Sequence, residues 1–336
     1  MVLVSEVGEF GFIARLKAIM ERHDENVIVG IGDDAAVVRY NRPVVMTTDA
    51  MVHGIHFRED LIDAHDVGYK ALVASISDVA VMGGRAMHAL VTLAVPKEAS
   101  VEPIVSLYEG MRQACDEFSV TVIGGDVVST TGPLLVSVSV TGELLGEKPL
   151  LRSGAKPGDL VFVTGDVGAS AAYLHFVEHK SALFLAREDE AVLKERHQRP
   201  LPQVQAGALL ANFSGCTSTN DISDGLVSEL HEIAEASDMG IIIEAIRIPT
   251  LPAVRHYARI AHVDALDFAL YGGEDYQIVG TVAPDRAGHL LALCQSAGIR
   301  ITLIGRVHDA GPCVELIRDG RRSELKKGGY DHFLRN

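Results

Sequence analysis

The chain has 336 residues, 48% of them hydrophobic and 22% charged, a composition typical of a globular protein with enough material for two domains. Its formal net charge of −15 excludes a general binder of nucleic-acid backbones, because that role requires clustered lysine and arginine. The four cysteines form no CxxC pair, and the sequence has neither a basic-apolar leader nor an apolar run of ~18 residues. We therefore expect a cytoplasmic protein without disulfides, zinc knuckles or membrane spans.

Short β-branched runs alternate with longer amphipathic segments, which predicts an α/β or α+β fold. The predicted strands are, in chain order, residues 27–31, 35–40, 43–49, 87–95, 120–126, 134–144, 159–165, 241–248, 275–282 and 300–307. The predicted helices are residues 64–82, 101–118, 168–178, 202–213, 223–237 and 284–297. The segment GEKPLLRSGAKPGD is rich in glycine, proline and lysine, which indicates a junction between two domains, residues 1–145 and 146–336.

Carboxylates stand in small, apolar or glycine-rich surroundings at five places. They are Asp33 and Asp34 in GIGDDAA, Asp49 in VVMTTDA, Asp78 in LVASISDVAVMGG, Asp126 in VIGGDVV, and Asp221 with Asp224 in TNDISDGL. A carboxylate removed from water requires a cation, and after the first pair no lysine or arginine occurs before Arg39. Scattered single aspartates suit Mg²⁺ and a polyphosphate, and neither a P-loop nor a Rossmann glycine motif is present.

Structural explanations compete with a metal role at each position. The first pair is also typical of a solvated turn, and Asp49 and Asp126 follow predicted strands, where turns and ligand sites both occur. Asp78 lies in an apolar helix and is expected to pair either with Lys70 or a serine, or with a metal or ligand. Asp221 is in position to cap the following predicted helix, with Asp224 in its first turn.

Eight motifs follow one another along the chain. They are GIGDDAA, TTDAMVHGIHF, GYKALVASISDVAVMGG, VIGGD, LLRSGAKPGDLVFVTGDVGASAA, NDISDGL, YGGEDYQ and KKGGYDHF. In this order they closely resemble the thiamine-monophosphate kinase family of the aminoimidazole-ribonucleotide-synthetase-like superfamily, from Gly8 to about Phe333. The resemblance implies an α/β (α+β) fold of two domains: an N-terminal mixed sheet that binds ATP and Mg²⁺ and pairs in a homodimer, and a C-terminal α/β domain.

The resemblance also implies an activity and a set of site residues. The activity is ATP-dependent phosphorylation of thiamine monophosphate to thiamine diphosphate with several Mg²⁺ ions. The implied Mg²⁺ ligands are Asp34, Thr47, Thr48, Asp49, Asp78, Asp126, Asp221 and Asp224, of which Asp49, Asp126 and Asp221 are expected to be essential for catalysis. The implied ATP contacts are Tyr108, Gly125, Asp126, Arg152 and Ser223, and the implied substrate contacts are His56, Glu274 and Tyr330.

Elementary chemistry agrees with several of these roles. The guanidinium of Arg152 is suited to bind phosphate oxygens, although a charged residue in a linker is more commonly just solvated. The carboxylate of Glu274 is suited to bind an exocyclic amine, although an acidic residue in such a turn is more commonly just solvated. Because the acceptor is a phosphate monoester with a second pKa of ~6, it is already anionic near neutral pH. We therefore expect direct in-line transfer without a general base.

Two alternatives remain open. The first is another ATP-dependent enzyme of the superfamily; a selenophosphate synthetase requires a reactive cysteine near the N-terminus, whereas the first cysteine here is Cys115. Against aminoimidazole-ribonucleotide synthetase, the motifs GGEDY and GGYDHF favour the thiamine kinase. The second alternative is a non-catalytic scaffold that binds a nucleotide or a metal. The expected partners are ATP, thiamine monophosphate and a second copy of the chain, without nucleic acid or membrane.

Overall fold

The computed structural model describes residues 3–7, 9–31, 35–179 and 184–329. The chain forms two compact units, which are residues 1–79 with 84–144, and residues 80–83 with 145–336. None of the helices within the described ranges is long and apolar enough to cross a membrane.

The first unit contains two kinds of element. Its helices are α1 (Val4–Val7), α2 (Glu9–Met20), α3 (Ala64–Val81, whose last two residues belong to the second unit) and α4 (Val101–Phe118). Its strands are β1 (Val27–Val29), β2 (Val37–Val38), β3 (Val44–Val52), β4 (Gly84–Pro96), β5 (Thr121–Thr130) and β6 (Leu135–Leu144).

A four-stranded sheet of order β3-β6-β4-β5 forms the body of this unit, and only the β4–β5 pair is parallel. Side chains alternate between its two faces, as the period of two in a strand requires. One face carries the buried Val91 and Val138 beneath α3 and α4. The other face exposes Met46, Leu90 and Val128, whose side chains are 73%, 43% and 45% accessible.

Two glycines allow α3 and α4 to cross with their backbones in contact. A Cβ at Gly68 would lie 1.7 Å from the carbonyl oxygen of Leu107, and a Cβ at Gly110 would lie 1.7 Å from that of His65. No side chain fits at such distances, so only glycine is compatible with this crossing.

The second unit is built on one larger sheet. Its helices are α5 (Ala169–His179), α6 (Arg187–Gln198), α7 (Val204–Ala211), α8 (Leu226–Ser237), α9 (Pro252–Ala261), α10 (Ala265–Tyr271) and α11 (Pro284–Ser296), with a 3₁₀ turn at Ala245–Arg247. Its strands are β7 (Leu160–Thr164), β8 (Cys216–Asp221), β9 (Gly240–Glu244), β10 (Ile278–Val282), β11 (Ile301–His308), β12 (Cys313–Arg318) and β13 (Arg321–Leu325).

The seven strands have the order β13-β12-β9-β11-β7-β10-β8, and only the β9–β12 pair is parallel. The sheet is buried on both faces, because Val161 and Val163 of β7 enter a core with Leu230 of α8, whereas Phe162 enters a second core with Leu290 of α11. This arrangement explains why LVFVT is a continuous apolar run rather than an alternating one.

The predicted mixed α/β fold is confirmed, and each of the ten predicted strands and six predicted helices overlaps an observed one. The sequence prediction missed β8, β12 and β13 and the helices α1, α2, α6, α9 and α10. The strand β8 was missed because its residues CTSTND have polar, turn-forming side chains. The strand predicted at 275–282 begins only at Ile278, since residues 274–276 form an irregular turn.

Candidate active site

The Asp221–Asp224 segment leaves the end of β8 and enters α8. Asp221 is the last residue of β8, is 5% exposed and pairs with Ile278 of β10. Helix α8 begins at Leu226, and its N-cap is Gly225 with a φ of 127°. The alternative in which Asp221 caps this helix and Asp224 lies in its first turn is therefore wrong. Both residues precede the helix, where their carboxylates are not needed as caps.

Backbone hydrogen bonds join this segment to the GGEDYQ turn. The amide of Glu274 donates to the carbonyl of Ser223 at 2.7 Å, and the amide of Tyr276 donates to that of Ile222 at 2.9 Å. A Cβ at Gly273 would lie 2.4 Å from the Ser223 oxygen, so a glycine is needed for this approach. The structure thus brings Glu274 beside Ser223 and Asp224, three residues that were predicted to serve the same reaction.

A buried asparagine connects Arg152 to the same segment. The Nε of Arg152 donates to Oδ1 of Asn220 at 3.0 Å, and Nδ2 of Asn220 donates to Glu229 at 2.7 Å and to Glu232 at 2.9 Å. Glu229 in turn accepts the amide of Asp224 at 3.0 Å. The Nη1 of Arg152 also forms an ion pair with Oε2 of Glu232 at 3.2 Å, so the guanidinium is held by Asn220 and Glu232 while the side chain as a whole is 56% exposed.

Burial is the main cause that raises the pKa of Glu229 to about 9, and nearby carboxylates raise it further while the Asp224 amide lowers it. Sequence reasoning missed Asn220, Glu229 and Glu232. Asn220 directly precedes Asp221, and its polar side chain at a buried strand end was the available signal.

In the first unit, four polar residues face one another between β3 and α3, and all of them except Ser75 were predicted to bind Mg²⁺. Thr47 and Asp49 share a face of β3 because they are two residues apart, and Ser75 and Asp78 share a face of α3 because they are three apart. Thr47 Oγ1 donates to Asp78 Oδ2 at 2.5 Å, and Ser75 Oγ lies 2.8 Å from Asp49 Oδ2. Thr47, which the sequence did not suggest as a partner of Asp78, is therefore a hydrogen-bond donor to it.

Burial raises the pKa of Asp49, and the hydrogen bond from Ser75 opposes that rise only in part. A bound cation would stabilise the ionised form of a half-buried carboxylate that is held only by a neutral hydroxyl. This observation supports the view that the aspartates of this face serve a ligand.

Thr48 and Asp126 lie on the opposite face of the sheet. Thr48 is exposed and accepts a hydrogen bond from Ser139 at 2.9 Å, and the exposed Asp126 pairs with Thr92 of β4. The strands that carry Asp49 and Asp126 form the two edges of the sheet, three strand spacings or about 14 Å apart. Since Mg²⁺ binds oxygen at ~2.1 Å, one ion cannot contact both carboxylates of one copy of this unit.

A cavity of ≈ 100 Å³ brings the three predicted ATP contacts of the first unit together. It is lined by Ile13, Leu16, Lys17, Met20, Ile31, Val91, Tyr108, Val122, Gly124, Gly125, Asp126 and Val127. Its walls are mainly apolar, which suits a base more than a phosphate chain. Gly125 is needed here for packing, because a Cβ would lie 1.9 Å from the carbonyl oxygen of Val91.

His56 follows β3 in a turn, where its Nδ1 accepts the amide of Val52 at 3.1 Å. The remaining predicted site residues, Asp34 and Tyr330, lie outside the described residues.

Two groups of three potential metal ligands occur within the described ranges, and neither contains a predicted ligand. They are His308, Cys313 and Glu315, and Asp63, His65 and Asp66. In the first group Glu315 already binds the guanidinium of Arg322, and in the second Asp63 accepts the amide of Asp66 at 2.9 Å at the start of α3. These contacts favour structural roles for both groups.

Comparison with known families defines the class of protein. Residues 32–144 match the family model described as AIR synthase related protein, N-terminal domain, and residues 156–315 match the corresponding C-terminal domain. A hydrogenase maturation protein, HypE of E. coli, has the same fold at a TM-score of 0.76 and 19% identity, with 96% of this chain and 97% of that chain covered. The chain is thus a two-domain protein of the AIR synthase related class.

Closer relatives narrow the assignment. The thiamine-monophosphate kinase of Bacillus subtilis is 39% identical over 93% of this chain and 95% of the relative. The crystal structure of thiamine-monophosphate kinase from Stenotrophomonas maltophilia K279a superposes at a TM-score of 0.80 with 34% identity, over 93% of this chain and 97% of that one. A structure described as AaThiL complexed with AMPPCP and TMP superposes at 0.77 with 30% identity over 99% of both chains. The chain belongs to the thiamine-monophosphate kinase family.

Proposed function

We propose that the protein transfers the terminal phosphoryl group of ATP to the phosphate of thiamine monophosphate and thereby forms thiamine diphosphate. The observation that carries this proposal is the pair of backbone hydrogen bonds that hold the GGEDYQ turn against residues 222–223. They set Glu274, a candidate for substrate binding, beside the candidate ATP and Mg²⁺ residues Ser223 and Asp224. A relative of 30% identity has been crystallised with AMPPCP and TMP, which supports the same pair of substrates here.

We propose that the aspartates hold Mg²⁺ at more than one position. Asp49 and Asp78, with Thr47, offer one set of oxygen ligands, and Asp221 with Asp224 offers another; Thr48, Asp126 and Asp34 complete the proposed ligands. The donor set fits the ion, because it consists of carboxylate and hydroxyl oxygens. Bound Mg²⁺ would neutralise part of the charge on the phosphates of both substrates.

The chain's own residues then position two anions for direct in-line transfer. The half-exposed guanidinium of Arg152, held by Asn220, is assigned to phosphate oxygens of ATP. The cavity beside Tyr108 and Gly125 is assigned to the adenine base. Glu274 is assigned to the exocyclic amine of the acceptor, and His56 and Tyr330 complete the proposed substrate contacts.

We also propose that the protein acts as a cytoplasmic homodimer. The open face of the first sheet carries Val44, Met46, Leu90 and Val128, each more than 40% exposed. Single exposed apolar residues are ordinary, but four on one face of one sheet are typical of an interaction surface. A cytoplasmic location agrees with the use of ATP and with the four free cysteines.

The test is a coupled assay of thiamine diphosphate formation with the full chain and two variants, Asp49→Asn and Asp126→Asn. The unmodified protein should form thiamine diphosphate from ATP and thiamine monophosphate, and each variant should lose at least about 100-fold in kcat. Asp60→Asn is a matched control, because the Asp60 side chain is 60% exposed and its carboxylate forms an ion pair with Arg58 at the surface.

Each outcome has a clear meaning. Absence of product from the unmodified protein would contradict the proposed activity, and nucleotide binding without turnover would favour the scaffold. Full turnover by both variants would contradict the metal assignment. A phosphorylated protein after incubation with ATP alone would contradict direct transfer.

A further inference from the structure

A buried serine and a buried histidine lie against the carboxylate of Glu274, and neither was predicted to belong to the site. Ser170, in the first turn of α5, is 1% exposed, and His197, in the last turn of α6, is 3% exposed. His197 Nδ1 lies 2.9 Å from Ser170 Oγ and 3.4 Å from Glu274 Oε2, and Ser170 Oγ lies 3.5 Å from the same Oε2.

The direction of these hydrogen bonds follows from the acceptor. A carboxylate only accepts, so the Ser170 hydroxyl donates to Glu274 and its oxygen accepts the hydrogen on Nδ1 of His197. The same contacts exclude a catalytic triad. In a triad the serine and the carboxylate contact different nitrogens of the histidine ring, whereas here both contact Nδ1 of His197, and the serine hydroxyl is buried. The cluster is therefore built to hold a carboxylate rather than to activate a hydroxyl.

The backbone of Glu274 is fixed from the same helix. Glu274 and Tyr276 have φ angles of 62° and 48°, in the left-handed region that residues other than glycine rarely adopt. Asp275 between them is 8% exposed, and its carboxylate accepts the amide of Gly168 at 2.7 Å and those of Ala169 and Ser170. Helix α5 thus anchors the turn through Asp275 and the Glu274 side chain through Ser170.

We propose that Ser170 and His197 are positioning residues that orient the Glu274 carboxylate toward an amine of the acceptor substrate and so determine its specificity. This inference rests on the proposed function, in which Glu274 binds thiamine monophosphate. A carboxylate that is fixed before binding loses less side-chain freedom in the complex, so its donors should act on acceptor affinity and not on ATP.

The decisive comparison is between two substitutions of His197. His197→Phe keeps an aromatic ring 5.4 Å from Tyr173 but removes the Nδ1 donor, whereas His197→Asn loses the ring but retains a donor near the Nδ1 position. We expect His197→Phe to raise the KM for thiamine monophosphate about tenfold, with kcat and the KM for ATP within about twofold of the unmodified protein. His197→Asn should restore that KM to within about threefold.

If His197 only fills space, His197→Phe should change the KM for thiamine monophosphate less than His197→Asn does, because phenylalanine preserves the packing. The second readout is discrimination against oxythiamine monophosphate, which carries an oxygen in place of the exocyclic amine; the kcat/KM ratio of the two acceptors should fall about tenfold in His197→Phe. His231→Phe is the matched control: His231 is a buried histidine of the same unit that bonds to the Leu325 carbonyl, and its substitution should leave both KM values unchanged.

The outcomes separate the two proposals. If the unmodified protein does not phosphorylate thiamine monophosphate, the proposed function fails. If it does, and His197→Phe keeps the original acceptor KM or binds the acceptor better than His197→Asn, the positioning role is overturned. Should His197→Phe not fold, Ser170→Ala takes its place, with an expected rise of about threefold in the same KM; an unchanged KM would overturn the role.

Discussion

At the scale of single residues, adjacent acids in the GGEDYQ turn have opposite environments. The side chain of Glu274 is 26% exposed, whereas Asp275 is buried and accepts backbone amides at the start of α5. Burial raises the pKa of Asp275 to about 7, although these amides oppose the rise. One acid is thus available to a ligand, and its neighbour is part of the fold.

The raised pKa of Asp275 predicts a specific pH dependence of stability. Between its unfolded pKa of 3.8 and its folded pKa of about 7, the folded state retains a proton that the unfolded state has lost. The free energy of unfolding therefore falls as the pH rises through this window and levels off above it. From about pH 5.5 to about pH 8 this loss is about 2 kcal/mol, and it is absent from Asp275→Asn.

Denaturant unfolding of both proteins across this range measures the effect, because the free-energy difference between them isolates residue 275. A difference that does not change with pH would mean that Asp275 is ionised throughout.

The positions of these residues were only partly predictable from the sequence. The spacing of Thr47 with Asp49 and of Ser75 with Asp78 placed each pair on one face of its element, because those periods are local properties of strands and helices. The contact between the two pairs depends on how α3 lies over β3, which no local pattern encodes. His197 is about 77 residues from Glu274 in the chain, and only the packing of α6 against α5 brings them together.

At the scale of elements, glycine has two different roles that the sequence alone does not distinguish. In β5, Gly125 faces the Val91 carbonyl with no room for a side chain, whereas Gly288 of α11 is exposed and has open space where a Cβ would be. The resemblance implied an ATP contact at Gly125, but the parallel partner strand β4 already requires a glycine at this position.

Alanine substitutions at these two glycines should therefore have opposite effects on stability. Gly125→Ala should destabilise the first unit by about 1–3 kcal/mol, because the new methyl group forces β5 away from β4. Gly288→Ala should stabilise the second by about 0.5–1 kcal/mol, because alanine restricts the unfolded chain and favours the helix. Thermal unfolding of both variants provides the measurement; equal effects of the same sign would refute the distinction.

At the scale of the whole molecule, the open face of the first sheet is the surface on which the proposed dimer depends. The sequence does not show which face of this sheet is open, because VVMTTDAMV has apolar residues at both alternating sets of positions. The open face is identified only once the structure shows that helices cover the other one. The order of the sequence motifs was enough to predict a two-domain protein of this class. It was not enough to predict which side of the sheet is covered by helices.

A charge on that face should separate the proposed dimer. Met46→Glu places a carboxylate where the side chain is 73% exposed, and we expect it to raise the dimer dissociation constant at least about 100-fold, because a buried unpaired charge is costly at an interface. Ile246→Glu is the control, since Ile246 is 92% exposed but lies in the second unit. Sedimentation equilibrium gives the constants; a dimer that survives Met46→Glu would assign the interface to another surface.

The glycine crossing of α3 and α4 also bears on how such a chain can diverge. Since peptide atoms touch at Gly68 and Gly110, the spacing of these helices does not depend on the sizes of the side chains around them. Core residues can then be exchanged over generations while Ser75 and Asp78 keep their place on α3. Glycine at both positions, rather than one particular set of core side chains, is therefore what this geometry requires.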